Sequence, residues 1–179
     1  VHGSRGLGDV YKRQELESPN YQFVAARLLL FGVRKKLWGR IHEAPSLGNH
    51  ITKCIREGVY DPHFTSKYTD QEIDELDSYI DHDRDYLFTY AGLRQVTDKY
   101  LVQDRSTGDL YETPQSMYIM IAATMFSEYP KETRLDYVKR YYDAISRHRI
   151  NIPTPVMGGV RTPIRQFASC VLVDIDDTL

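Results

Sequence analysis

The residues able to do chemistry gather in the last stretch, Asn151 to Leu179, NIPTPVMGGVRTPIRQFASCVLVDIDDTL. One thiol, Cys170, opens an apolar β-branched run, Cys170-Val171-Leu172-Val173, and Asp174, Asp176 and Asp177 crowd its far end. A thiol can act as a nucleophile or as half of a redox disulfide. Carboxylates two residues apart past a parallel strand suit a nucleophile and an acid/base around Mg²⁺ in phosphoryl transfer. Upstream, Pro153-Thr154-Pro155 and Thr162-Pro163 mark turns around Gly158 and Gly159. Arg161 and Arg165 are able to pair phosphate or Asp side chains, structural pairing being the more ordinary role. A lone buried cysteine, too, is more often a passive core residue than a reagent.

Two further groups invite a chemical reading. Asp81-His82-Asp83-Arg84-Asp85 is the densest charge cluster and offers carboxylates and an imidazole. Consecutive residues do not face one another on a helix, and no second His or Cys follows at ligand spacing, so a capping and ion-pair junction is expected rather than a metal site. Cys54 shares a helical face with Leu47, Ile51 and Ile55 and reads as core. No metal-ligand set is expected in this sequence.

Composition narrows the class. A formal charge of −2 leaves no electrostatic footprint for nucleic acid or a membrane surface. Two cysteines are too few for a disulfide framework, which points to a reducing cytoplasm. No apolar run reaches the roughly 18 residues of a membrane helix. Val1 to Gln14 has no apolar periodicity and no secretory core. Its DVYKRQ matches the translation of a transposon-end sequencing adaptor, so residues 1–14 are expected to be a non-native tail, the alternative being a natural disordered basic arm.

Positioning elements can be read from caps and periodicity. Ser18-Pro19 reads as the N-cap and first residue of a helix running to about Lys36. Pro45-Ser46 starts a second, stopped by Gly58. Thr69-Asp70-Gln71-Glu72 is a capping box ahead of Ile73, Leu76 and Ile80. Tyr86 to Lys99 reads as one helix. Arg105-Ser106-Thr107-Gly108-Asp109, flanked by Tyr100-Leu101-Val102 and Leu110-Tyr111, is a hairpin signal. Thr113-Pro114 opens a strongly apolar helix through Phe126, and Pro130 an amphipathic one with Leu135, Val138, Tyr141, Ala144 and Ile145. The unalternating apolar run after Cys170 predicts a strand over 166–174, of the kind that a parallel sheet buries on both faces but expected to be largely unpaired with neighbours in this chain. The organisation expected is a helical unit over 15–150 leading into the start of an α/β unit at 151–179.

From Asn20 onward the chain resembles the large (alpha) subunit of aerobic, bacterial-type class I ribonucleotide reductases. The resemblance is carried by NYQFVAARLLLFGVRKKLWG, YIDHDRDYLFTYAGLRQ, KYLVQDRSTGDLYET, YPKETRLDYVKRYYDAIS and, most specifically, PTPVMGGVRTPIRQFASCVLV. It implies a mainly α fold: the helical N-terminal domain of that subunit, with a small hairpin and the first strand of a ten-stranded α/β barrel. It puts Cys170 at the first cysteine of the redox pair, and Thr154 and Ser169 at residues near the substrate diphosphate. Asp177, Thr178 and Leu179 match the start of the segment that binds the nucleoside triphosphate specificity effector. Ala168 departs from the Ser common in relatives.

The resemblance also implies the function: reduction of ribonucleoside diphosphates by thiyl-radical chemistry. A metal-containing small (beta) subunit would supply the radical, large subunits would pair as a homodimer, and thioredoxin or glutaredoxin would re-reduce the cysteine pair. The chain itself would carry no cofactor. It further implies that this is a fragment, inactive alone. The radical-carrying cysteine, the catalytic glutamate and asparagine, the partner of Cys170, the C-terminal tyrosine pair, the shuttle cysteines and the ATP-cone would lie outside it.

Two rival readings remain at this point. VLVDIDDTL resembles the first motif of haloacid-dehalogenase-type phosphatases, with Asp174 as nucleophile, Asp176 as acid/base and Mg²⁺ between them. A non-catalytic helical interaction module is the other. For Asp177 the simpler role is an N-cap.

Overall fold

In a computed structural model, residues 18–173 are described. The expected tail at 1–14 and the residues Asp174, Asp176, Asp177, Thr178 and Leu179 lie outside them. The fold is helical: α1 (Tyr21–Trp38), α2 (Leu47–Arg56), α3 (Asp70–Ser78), α4 (Tyr90–Lys99), α5 (Pro114–Met125), α6 (Lys131–Ser146) and a short α7 (Thr154–Gly159), with 3₁₀ turns at Pro62–Ser66 and His82–Leu87.

The core is built around α5. Every residue from Pro114 to Ala123 is buried, the mark of a helix apolar all round and enclosed by its neighbours. Its start is set by Thr113, whose Oγ1 accepts from Ser116 N, and by Pro114 in the first turn. The amphipathic α6 lays Val138, Tyr142 and Ile145 on α5, while α1 packs on α4 and α2 on α3. The capping box forms: Glu72 N donates to Thr69 Oγ1, and Thr69 N donates back to Glu72 Oε2 at 2.8 Å. Glu72 also receives Arg134 of α6, whose guanidinium lies 4.3 Å from the centre of the Tyr68 ring.

Five expectations are corrected. The first helix begins at Tyr21 with Asn20 as N-cap, and Ser18 contributes its carbonyl to Tyr21 N rather than a side-chain cap. Its end lies at Gly39, whose φ of 74° is the left-handed conformation that closes a helix on the Lys35 carbonyl. The single helix read over 86–99 is divided, because Phe88 is extended and Thr89 caps a new helix by accepting from Gly92 N. The turn at Pro153-Thr154-Pro155 is instead the first turn of α7, a place where proline is tolerated for lack of a needed N–H.

The other two corrections concern β-structure; no strand occurs among the described residues. The hairpin reduces to one antiparallel bridge, Gln103 to Leu110, with Gly108 at φ 75° in its turn. A ladder cannot extend from it, because Val102 N donates to the Glu112 side chain at 2.7 Å and Pro114 starts a helix two residues later. The strand expected over 166–174 is absent as far as 173. Val171, Leu172 and Val173 are 73%, 101% and 74% exposed. A strand needs lateral partners for its N–H and C=O groups, and no described segment runs beside this one.

Candidate functional site

The segment after α6 is held by a buried ion pair. Arg161 and Glu112, 49 residues apart, both have fully buried side chains. Glu112 follows the bridge and precedes α5, so its carboxylate points into the gap between α2, α4 and α7. There Oε1 accepts from Val102 N, and Oε2 accepts from Arg161 Nε at 2.9 Å and from Tyr60 Oη at 2.5 Å. The remaining donors of Arg161 reach the Met157 carbonyl at 2.5 Å, inside α7, and the Tyr100 carbonyl at 2.8 Å, at the end of α4. Removing either charge would strand the other in the interior, at a cost of about 3–5 kcal/mol. Structural pairing, the more ordinary role read for Arg161, is what the fold displays. Arg165 pairs with Asp61 at the surface.

The network continues to α2. Tyr60 Oη is 3.0 Å from His50 Nε2. Because Tyr60 donates to Glu112, it accepts from His50, which assigns the imidazole proton to Nε2. Burial pushes His50 down to about 4, the Glu112 charge opposing it, so the ring is neutral at pH 7. Cys54 Sγ lies 3.8 Å from His50 Nε2. Burial and the neighbouring Glu112 push its thiol up to about 12. It is a protonated core residue and has none of the thiolate character that redox work requires.

The residues singled out as a substrate site lie outside this network, and no described contact joins Thr154 to Ser169 or Cys170. Thr154, the first residue of α7, is exposed, with its Oγ1 3.3 Å from Tyr100 Oη. Ser169 Oγ lies 3.9 Å from Cys170 Sγ, and both residues are exposed. Cys170 thus sits in an open segment rather than on a formed strand. Beside α7 runs a cleft of about 490 Å³ between the end of α4 and the Pro155 to Gln166 segment, lined by Tyr100, Val102, Arg105, Pro155, Gly158 and Thr162 among others. Tyr100 and Glu112 carry the positioning of α7, and sequence reasoning missed both. The signal available was weak: Tyr100 ends a helix, and Glu112 is a single acid just before the Thr113-Pro114 helix start.

The junction at 81–85 is a capping and ion-pair site. Asp81 caps the 3₁₀ turn, Arg84 meets Asp143 at 2.7 Å, and the buried Asp85 accepts from Arg34 at 3.2 Å and Gln115 at 2.9 Å. Burial raises Asp85 to about 6 in spite of those donors. The His82 ring sits 5.1 Å from that of Trp38. The acids and the imidazole thus have separate partners, Asp85 with Arg34 and Gln115 and His82 with Trp38. Among the described residues no group of three or more His, Cys, Asp or Glu side chains is arranged to hold a metal ion. No helix among them is long and apolar enough to cross a membrane.

Comparison with known proteins gives these features a context. Residues 86–165 match the model of the ribonucleotide reductase all-alpha domain. The chain is 52% identical over 163 residues to ribonucleoside-diphosphate reductase 1 subunit alpha of Escherichia coli, covering 91% of the chain and 21% of that protein. The subunit alpha of Haemophilus influenzae gives the same identity and coverage. That of Enterobacteria phage T4 is 46% identical over 164 residues, 92% of the chain and 22% of the phage protein. The chain spans about a fifth of the length of these relatives.

Proposed function

We infer, from the chain's membership of the ribonucleotide reductase large-subunit family, that it acts as the helical N-terminal part of a subunit that reduces ribonucleoside diphosphates to deoxyribonucleoside diphosphates. The observation that carries this reading is the similarity over 163 residues, 91% of the chain, a stretch long enough that it must include the anchored α7. The proposed division is a helical domain over 15–150 and the first part of a catalytic barrel from 151. Nothing in the similarity favours a phosphatase at Asp174 and Asp176 or a non-catalytic module.

The chemistry asks specific work of these residues. Replacing a ribose 2′-OH by hydrogen takes two electrons and releases water. Two thiols supply both electrons and both protons as they close to a disulfide, so each turnover consumes one dithiol. Cys170 is proposed as one of the pair; Thr154 and Ser169 would bind near the substrate diphosphate through their hydroxyls. Asp177, Thr178 and Leu179 would begin the site for a nucleoside triphosphate effector. The radical that starts the reaction would come from a metal-containing beta subunit, the large subunits would form a homodimer, and thioredoxin or glutaredoxin would restore the thiols. All of this belongs to a cytoplasmic setting, in keeping with two unpaired cysteines.

A chimera tests the assignment. Residues 20–173 replace the equivalent stretch in the large subunit of a relative, which is assayed with its own beta subunit and a dithiol. The reading predicts deoxynucleotide formation within about tenfold of the parent, since a matched segment leaves the barrier within roughly 1.4 kcal/mol. A folded chimera with no turnover would contradict it.

A further inference from the structure

Tyr100 touches α7 at both ends. Its carbonyl accepts from Arg161 Nη2 at 2.8 Å, beyond the C-terminus of that helix, and its hydroxyl meets Thr154 Oγ1 at 3.3 Å, at the first residue. Its own N–H donates to the Val96 carbonyl and ends α4. Arg161 is in turn fixed by Glu112 and by the Met157 carbonyl within α7. One residue at the end of α4, which also lines the cleft beside α7, therefore joins the buried ion pair to the exposed Thr154 hydroxyl.

A hydroxyl has one proton and two lone pairs. A phosphate oxygen at neutral pH only accepts, so Thr154 must give its proton to the substrate to bind it. It can do so only if its contact with Tyr100 is one in which Thr154 accepts. We propose that Tyr100 is a positioning residue for the ribonucleoside diphosphate: its phenol donates to Thr154 Oγ1, fixes that rotor and leaves the threonine proton directed at a phosphate oxygen. This rests on the reading of Thr154 as a substrate-binding residue. The chain would thus define the diphosphate end of the site from the helical unit, through α4, as well as from the α7 segment itself.

The test uses the full-length large subunit with its beta subunit and a dithiol, and compares Tyr100→Phe, Thr154→Val and the double variant. The contact is remote from the reacting 2′ carbon, so its loss weakens ground state and transition state alike. Tyr100→Phe is expected to raise KM for the ribonucleoside diphosphate about fivefold, the effect of one hydrogen bond, with kcat within about twofold and Tm unchanged. In the Thr154→Val background, Tyr100→Phe should add no further rise, and Thr154→Ser should restore the parent KM. A purely structural Tyr100 would lower Tm and act equally in both backgrounds, which overturns the proposal. An unchanged KM in Tyr100→Phe, beside a raised KM in Thr154→Val, overturns the positioning role alone. An unchanged KM in Thr154→Val overturns the reading of Thr154 and the proposal with it.

Discussion

Burial, more than any partner, sets the protonation of His50. Its ordinary value of 6.5 falls to about 4 because the charged ring would lose its water, and Glu112 only partly offsets this. Between those two values the unfolded chain binds a proton that the folded chain does not. The stabilising contribution is therefore complete above pH 6.5 and is lost as pH falls towards 4, by about 3 kcal/mol at about 1.4 kcal/mol per unit. His82, also pushed down to about 4 by burial and by Arg34, acts in the same direction, while Asp85, raised to about 6, acts in the opposite one. His50→Gln isolates the first contribution. Urea unfolding should show the variant less stable than the parent at pH 7, with that gap closing by about 2–3 kcal/mol at pH 4. A gap independent of pH would mean that His50 is accessible to protons in the fold.

Among the elements, α5 bears the core, and the cost of truncation should follow its burial. Met117 is fully buried and Met125, at its C-terminus, is 42% exposed. Met117→Ala should lose about 2–5 kcal/mol in urea unfolding and Met125→Ala less than about 0.5 kcal/mol; equal losses would contradict the central place of α5. Much of this level was legible in the sequence, since it is written in neighbouring residues. Thr69 to Glu72, Thr113-Pro114 and Ser46 each act within one helical turn. The division at Phe88-Thr89 was missed because a threonine inside an apolar pattern can cap or continue a helix, and only tertiary packing decides which. The α7 helix was missed because prolines on both sides of Thr154 read equally as turns. Glu112 with Arg161 and Tyr100 with Thr154 are 49 and 54 residues apart, and no local pattern records such pairings. Resemblance, not periodicity, singled out Thr154, Ser169 and Cys170.

At the scale of the whole molecule, two surfaces differ in kind. In the helical unit the buried charges Arg34, Asp85, Glu112, Arg134 and Arg161 are paired and the central helix is covered. The stretch from Ile164 to Val173 is open, with Phe167, Val171, Leu172 and Val173 exposed, as a strand is before neighbouring strands cover it. Cys170 lies in that open stretch, and under the proposed function it becomes one of two reducing thiols in the assembled subunit. The most direct measurement follows Cys170→Ser through one turnover of the full-length enzyme, with its beta subunit and no added dithiol. The parent should form one deoxynucleotide and lose two titratable thiols per active site. Serine is nearly isosteric but cannot form the disulfide, so the variant should bind ribonucleoside diphosphate as the parent does and yield no deoxynucleotide, with its thiol count unchanged. Deoxynucleotide formed by the variant at the parent's rate would show that Cys170 takes no part in the reduction.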